Sequence, residues 1–553
     1  MGTRPAHPTY EVSQYAILTQ KGDNLTTQDA LTYLNSLQTK FAILEERRKK
    51  PPPDLKKNDA LNEMLQWVCD IGYQRSDFDR LNPVHVAGTK GKGTTCAFVN
   101  SILAQSKART QLPGKIGLFT SPHLLSVRER IRIDSKPVSE ELFTRYFFEV
   151  WDRLEIAAER RNPEVKYKPA YLRYLTLLSL HIFMCEQVDV AVYEVGVGGE
   201  FDSTNVIAKP AVTGITALGI DHVQVLGATI EEIAWHKAGI FKTGAPAYTV
   251  RQPESAMEVL KQRAEEKRVA LVEVPIAPCL RDVQIVPDED FQKQNASLAV
   301  VLADRVLTKL GAAGGQGQGE SAPSAALSGH RPLDIEQPLS EVFKAGLTST
   351  VWRGRCETVE TSYGKWLLDG AHTAESLEIV SDWFGRTVKQ STLSTSNGPL
   401  SVLVFNQQAS HRDLRQLIET LQHRLIQKWD VRPQHAIFCT NVTYKTQEYK
   451  LDFVDANTDS NLLRGLNDQH EYARIWRQND LECTTHVVAS VEEAVETARD
   501  LITCSPGHPA YVLATGSFRL IGAVLTILEG EGIASEPSTT GGAHGESLVS
   551  QRL

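Results

Sequence analysis

The sequence predicts an α/β fold of two domains, each a mostly parallel sheet covered by helices. Three observations carry this reading. Short β-rich apolar runs alternate with longer stretches whose apolar residues recur at helical spacing, the pattern of a parallel sheet covered on both faces. A glycine-rich turn joins the first of these runs to a helix. A second series of runs begins near Trp352, after a segment too poor in apolar residues to fold.

In chain order, the buried strands of the first series are VHVAG (84–88), KIGLFT (115–120), VDVAVYEVG (188–196), AVTGITALG (211–219), APAYTV (245–250) and VALVEV (269–274). Helical spacing covers 94–107, 139–160, 171–187 and 229–239 between them. The second series reads KWLLDGA, LSVLVFN, HAIFCTNV, THVVAS and AYVLATG. The junction falls near 335–352, which gives domains over 1–347 and 348–529. Residues 311–331 are rich in Gly, Ala, Ser and Gln and read as a disordered insertion, and 530–553 as a disordered tail. Pro51 to Pro53 mark a loop or extended corner after a basic cluster.

Composition narrows the function. With 553 residues, 41% hydrophobic and 23% charged, the chain is long enough for about two to four soluble domains with substantial cores. Lys plus Arg number 59 against 67 Asp plus Glu, a net charge of -8, which argues against a nucleic-acid binder. No apolar run approaches the roughly 18 to 20 residues of a membrane span. The eight cysteines are scattered without a C-x-x-C pair, so they read as reduced thiols of an intracellular protein and not as zinc ligands.

The run VHVAGTKGKGTT leaves a strand, passes Gly88, Gly91 and Gly93, and enters a helix near Thr94. Glycines there let backbone N–H groups approach an anion, and a helix N-terminus adds favourable partial charge. Lys92 is placed to neutralise phosphate oxygens, and Thr94 or Thr95 offers Mg²⁺ a hydroxyl. The run departs from G-x-x-x-x-G-K-[ST]: Val86 stands at the first glycine, and Gly93 separates Lys92 from Thr94. The plainer alternative is a flexible glycine-rich turn. Glu194 ends one buried strand and Asp221-His222 follow another, the ends at which such sheets bind ligands and where a carboxylate suits Mg²⁺. Ser121, after a third strand, is either a turn residue or a hydroxyl ligand. Lys237, among apolar neighbours on a helix, reads as a surface lysine whose stem covers them.

Six segments in order resemble the folylpolyglutamate synthase family of Mur-ligase-like, ATP-dependent amide ligases, in its eukaryotic form. They are HVAGTKGKGTTCAF (85–98), LFTSPHLLSVRERIRI (118–133), EVGVGGEFDSTN (194–205), GIDHVQVLGATIEEIAWHKAGIFK (219–242), VWRGRCE (351–357) and LLDGAHTAES (367–376). The resemblance runs from LNSLQ (34–38) to ATGSFRLIGAV (514–524). It implies a P-loop ATPase domain followed by a Rossmann-like domain that closes over ATP and binds glutamate. It implies ATP-dependent addition of L-glutamate to the γ-carboxylate of tetrahydrofolate polyglutamates through an acyl phosphate.

The resemblance further assigns Gly91, Lys92, Gly93 and Thr94 to the ATP phosphates, and Ser121, Glu194 and His222 to magnesium. It makes Lys237 a carbamylated ligand of a second Mg²⁺, Arg355 and Asp369 ATP contacts, and His372 an aid to substrate positioning. The family's H-Q-x-x-N-A helix appears here as 291–296, keeping Gln292 and Asn295 as nucleotide-side residues but with Phe291 in place of the histidine. Thr373 stands where many bacterial relatives have Asn. A monovalent cation such as K⁺, a monomeric state, and cytosolic and mitochondrial location complete what the resemblance implies. Arg128, Arg130 and Arg132 alternate along an extended run, and Lys168 and Arg173 flank Tyr171; they read either as a solvated strand edge or as contacts for an anionic glutamate tail. Tyr171 and Tyr174 suit either a pterin ring or the core. Two other functions fit the loop alone: a phosphate-transferring NTPase or kinase, and a catalytically inert binding module.

Overall fold

A computed structural model describes residues 25–39, 43, 59–161, 168–314, 337–392, 398–407, 413–446, 450–454 and 465–530. Contacts divide the chain into two units. One holds the described residues as far as Thr350 together with 450–454, and the other runs from Val351 without that stretch. Of the segments read as disordered, 311–314 end a helix, and the remainder of 311–331 lies outside the described residues, as do Pro51 to Pro53 and 531–553.

The first unit is built on eight strands: β1 (Val84–Ala87), β2 (Ile116–Phe119), β3 (Ile131–Ile133), β4 (Lys136–Pro137), β5 (Val190–Glu194), β6 (Val212–Ile215), β7 (Ala247–Val250) and β8 (Leu271–Val274). Their order is β4-β3-β2-β5-β1-β6-β7-β8, parallel except for the antiparallel β2-β3-β4 edge. The chain leaves β1 to make β2 on one side and returns to place β5 and β6 against β1's two edges. The order therefore reverses at β1, and a crevice opens beyond the carboxyl ends of its neighbours.

Helix Lys92–Thr110 packs between Asp290–Gly314 and Glu341–Thr348. Gly346 lets the last of these approach so closely that a Cβ there would lie 2.6 Å from the Cα of Ile102. Buried on several sides, Lys92–Thr110 carries no single apolar stripe. On the opposite face an aromatic core joins Trp67, Phe78, Phe143, Phe147, Tyr174 and Phe183.

In the second unit β9 (Glu357–Thr361), β10 (Gly364–Asp369), β11 (Leu400–Phe405), β12 (His435–Phe438), β13 (Thr484–Val487) and β14 (Ala510–Thr515) lie in the order β13-β12-β11-β14-β10-β9. All pairs are parallel except β9-β10. Helices Ala374–Thr392 and Leu414–His423 supply Phe384, Leu417 and Leu421 to its core. No helix among the described residues is long and apolar enough to cross a membrane.

The run 126–133 is not the continuous extended strand its alternation suggested. Ser126 caps a 3₁₀ turn over Val127–Arg130 through a capping box with Glu129, and only Ile131–Ile133 pairs as strand. A serine followed three residues later by glutamate starts a turn of helix, and that local signal outweighed the alternation.

Candidate functional site at the strand ends

The glycines of the phosphate loop are there for space as much as for conformation. Gly88 has φ +148°, and a Cβ on it would lie 1.8 Å from the Thr216 hydroxyl. Gly91 has φ +83°, caps helix Lys92–Thr110 in the left-handed conformation, and faces the Asn295 side chain, 2.1 Å from where its Cβ would be. The helix therefore begins at Lys92, two residues before Thr94. The loop is tied to the exit of β6: the Thr89 and Lys90 amides donate to the Ala217 carbonyl at 2.9 and 3.1 Å, and the Thr89 hydroxyl donates to the Gly219 carbonyl at 3.1 Å. Thr95 is fully buried one turn into the helix, and its hydroxyl meets no partner among the described residues.

Glu194 ends β5, which pairs with β1 so that Glu194 stands opposite Val86. Its carboxylate is 4% exposed and accepts the Ser121 amide, beyond the end of β2, at 2.9 Å. Glu194 and Lys92 both act on the Cys96 thiol: burial pushes that thiol well above its ordinary range, Glu194 adds to the rise, and Lys92 opposes it. Across β1, beyond β6, His222 takes a left-handed backbone (φ +53°), its amide donating to the Asp221 carboxylate at 2.8 Å and its ring half exposed. Ser121, Glu194, the loop and Asp221-His222 thus occupy the carboxyl ends of four neighbouring strands, β2-β5-β1-β6.

Lys237 is not the surface lysine that its local sequence allowed. It is 3% exposed, and its Nζ donates to the Gly88 carbonyl at 2.7 Å. Burial pushes its ammonium well below the usual lysine range, and Lys92 lowers it further, while Asp221 and Asp202 pull the other way. A buried amine under such pressure holds its proton poorly and is a nucleophile. The tertiary cause lies in the Gly198-Gly199 turn: a Cβ on Gly199 would lie 2.6 Å from the His236 carbonyl, so the glycine lets the turn close over the helix end. Gln292 and Asn295 are buried on the neighbouring helix, joined by a 3.2 Å hydrogen bond from Asn295 to Gln292, with Asn295 against Gly91. The oxygen donors fit a hard cation: a buried carboxylate and two hydroxyls, one of them without a partner among the described residues, with the His222 imidazole as the one nitrogen of the set.

In the second unit Asp369 ends β10 and is 6% exposed, accepting the Cys356 amide at 2.8 Å. Burial pushes its carboxyl up, with Arg355 and Cys356 opposing. The Arg355 guanidinium lies 4.0 Å from the centre of the Phe518 ring. His372 Nδ1 is 2.8 Å from the Gly370 carbonyl, which can only accept, so that nitrogen carries the proton.

The other candidate contacts are engaged elsewhere. Arg128 donates to the Val138 carbonyl and to Glu140, Arg130 to His123, and Arg132 to the Glu129 carbonyl, and the 3₁₀ turn over Val127–Arg130 breaks their strand alternation. Lys168 donates to the Trp151 carbonyl and Arg173 to Glu63. Tyr174 is a core residue, fully buried with its hydroxyl on the Phe147 carbonyl, and Tyr171 packs on the edge of the same core. Glu149, His181 and Cys185 gather closely, but both ring nitrogens of His181 are taken, by Tyr73 at 2.9 Å and Glu149 at 3.0 Å. Sequence reasoning missed Thr216 and Asp202: the first sets the glycine at position 88, and the second is a half-buried acid acting on Lys237. A threonine at a strand exit and an aspartate in a turn carry no local mark of either role.

Comparison with known proteins agrees with this architecture. Residues 86–278 match the Mur ligase middle domain. The chain is 46% identical over 512 residues to a folylpolyglutamate synthase of Neurospora crassa, covering 91% of this chain and 92% of that one. It is 44% identical over 510 residues to a folylpolyglutamate synthase of Saccharomyces cerevisiae, covering 91% and 87%. A Mycobacterium tuberculosis folylpolyglutamate synthase complexed with ADP shares the fold at a TM-score of 0.63 and 20% identity, over 91% of this chain and 98% of that one.

Proposed function

This chain belongs to the folylpolyglutamate synthase family, and from that premise we propose how its residues add L-glutamate to the γ-carboxylate of tetrahydrofolate polyglutamates with ATP. A carboxylate oxygen attacks the γ-phosphorus, the bond to ADP breaks, and an acyl phosphate results. The glutamate amine then attacks the acyl carbon, a proton leaves the nitrogen, and the carbon–oxygen bond to phosphate breaks, leaving an amide. Both reactants of the first step are anions, so positioning and charge neutralisation dominate its barrier.

The amides of Gly91, Gly93 and Thr94 cradle the phosphates, and Lys92 neutralises their oxygens. Ser121, Glu194 and His222, with the Thr95 hydroxyl, are the residues that would hold Mg²⁺. When bound, that ion supplies charge neutralisation at the phosphate oxygens. Lys237, kept from charging by burial, attacks CO₂ through its free amine, loses a proton and becomes a carbamate, an anionic ligand for a second ion. Gln292 and Asn295 support the loop at Gly91. Arg355 and Asp369 take part in nucleotide binding, and His372, its ring held by the Gly370 carbonyl, orients substrate. A site for K⁺, a monomeric state, and cytosolic and mitochondrial location belong to the same reading, supported by the resemblance.

The observation that carries the reading is the gathering of Ser121, Glu194, the loop and Asp221-His222 on four adjacent strand ends. ADP release is the test. The ligase releases ADP only when tetrahydrofolate and glutamate are both present, whereas a simple NTPase or kinase would release it without glutamate.

A further inference from the structure

In sequence, residues 450–454 lie between β12 and β13 of the second sheet, yet they pack within the first unit. Leu451–Phe453 form a single 3₁₀ turn. The Asn35 side-chain amide donates to the Leu451 carbonyl, and that of Gln38 to the Val454 carbonyl, each at 2.9 Å. The Leu451 side chain packs against the aromatic core. The opposite side of the segment meets the loop that follows β2. The Val127 amide donates to Asp452 Oδ1 at 2.7 Å, and Lys450 Nζ donates to the Leu125 carbonyl at 2.8 Å.

His123 completes the contact, and its tautomer follows from its partners. Arg130 Nε donates to His123 Nδ1 at 2.8 Å, and a guanidinium cannot accept, so Nδ1 is the bare nitrogen. The proton is on Nε2, which donates to the Asp452 carbonyl at 2.8 Å. Within the loop the Glu129 carboxylate accepts the amides of Leu124, Leu125 and Ser126, and Val127 is buried in the aromatic core. Asp452 is thus held by the loop through both its side chain and its backbone carbonyl. Ser121, whose amide reaches Glu194, is two residues before His123.

We propose that Asp452 is a positioning residue for the metal-binding end of the first sheet, clamping the 123–127 loop so that Ser121 stays at Glu194. The proposal rests on the assignment of Ser121 to Mg²⁺ made above. Magnesium tolerates little departure from octahedral geometry. A loosened loop therefore weakens Mg²⁺ before it disturbs ATP, whose phosphate loop is anchored separately to β6.

The test is Mg²⁺ titration of the full chain, read calorimetrically as the Mg²⁺ dependence of binding a non-hydrolysable ATP analogue and kinetically as Mg²⁺ activation of glutamate-dependent ADP release. Asp452→Ala raises the half-saturating Mg²⁺ about five-fold, the effect of one lost hydrogen bond, and leaves the KM for ATP at saturating Mg²⁺ unchanged. Asp452→Asn keeps the Oδ1 acceptor for Val127 and restores the wild-type value. A purely structural role would lower the melting temperature and kcat without moving the Mg²⁺ requirement. Should Asp452→Ala not fold, Asn35→Ala removes one seat of the segment and shifts the Mg²⁺ requirement in the same direction. Unchanged Mg²⁺ activation in the variant that folds, or failure of Asp452→Asn to restore it, overturns the clamp alone. A wild-type enzyme indifferent to Mg²⁺ overturns the metal assignment and the clamp with it.

Discussion

Gly91 shows how little room the phosphate loop leaves. Its positive φ and the Asn295 side chain at the Cβ position both exclude a side chain. Gly91→Ala therefore weakens ATP binding by about ten-fold or more, since the strained backbone and the clash act together. Titration with a non-hydrolysable ATP analogue checks this, and wild-type affinity would contradict it. At this scale the loop was legible, because glycines, a lysine and hydroxyls in a fixed order have a local physical meaning. Lys237 was not: its local sequence fits a solvated lysine equally well, and it is tertiary packing, with the Gly198-Gly199 turn closing on the helix end and Gly88 accepting its Nζ, that buries it. Burial is a property of the partner, which no local pattern displays.

Helices and strands were legible where they carry an apolar run or a repeat. β9, polar and at an edge, was missed for want of either, and of the extended run read over 126–133 only β3 is strand, because capping chemistry at Ser126 turns the first half into a 3₁₀ helix. A polar cluster invisible in sequence pins helix Ala374–Thr392 to the π-turn Arg424–Lys428. Asp382 accepts from Arg424 at two 3.0 Å contacts, from Lys428 at 2.8 Å and from the Trp429 indole at 2.7 Å. Gly385 makes room for the indole: a Cβ there would lie 2.3 Å from Trp429 Cγ. Burial would raise the Asp382 carboxyl, but these donors outweigh it and hold it down at about 2. The unfolded carboxyl titrates near ~3.9. The stabilisation is therefore complete above about pH 5 and is lost as the pH falls toward 2. Asp382→Asn lowers stability by about 1 to 2 kcal/mol at pH 7, less near pH 2, because the cluster is partly exposed. Urea unfolding at the two pH values measures the difference, and an equal loss at both would contradict it.

For the whole molecule, strand-helix alternation disclosed two sheets. It did not disclose that 450–454 pack with the first unit, because a five-residue docking segment has no periodicity to read. Strand order, likewise absent from sequence, is what makes the site. Only the placement of β5 and β6 on the two edges of β1 brings Glu194, Lys92 and His222 to one end of one sheet. If that end holds a metal and a nucleotide together, binding of the nucleotide must depend on the metal through Glu194. The direct measurement is calorimetric titration of a non-hydrolysable ATP analogue into wild-type and Glu194→Gln protein, with and without Mg²⁺. Mg²⁺ is expected to tighten binding to the wild type, and Glu194→Gln to abolish most of that gain. A Glu194→Gln protein that binds the Mg²⁺ complex as tightly as wild type would contradict it.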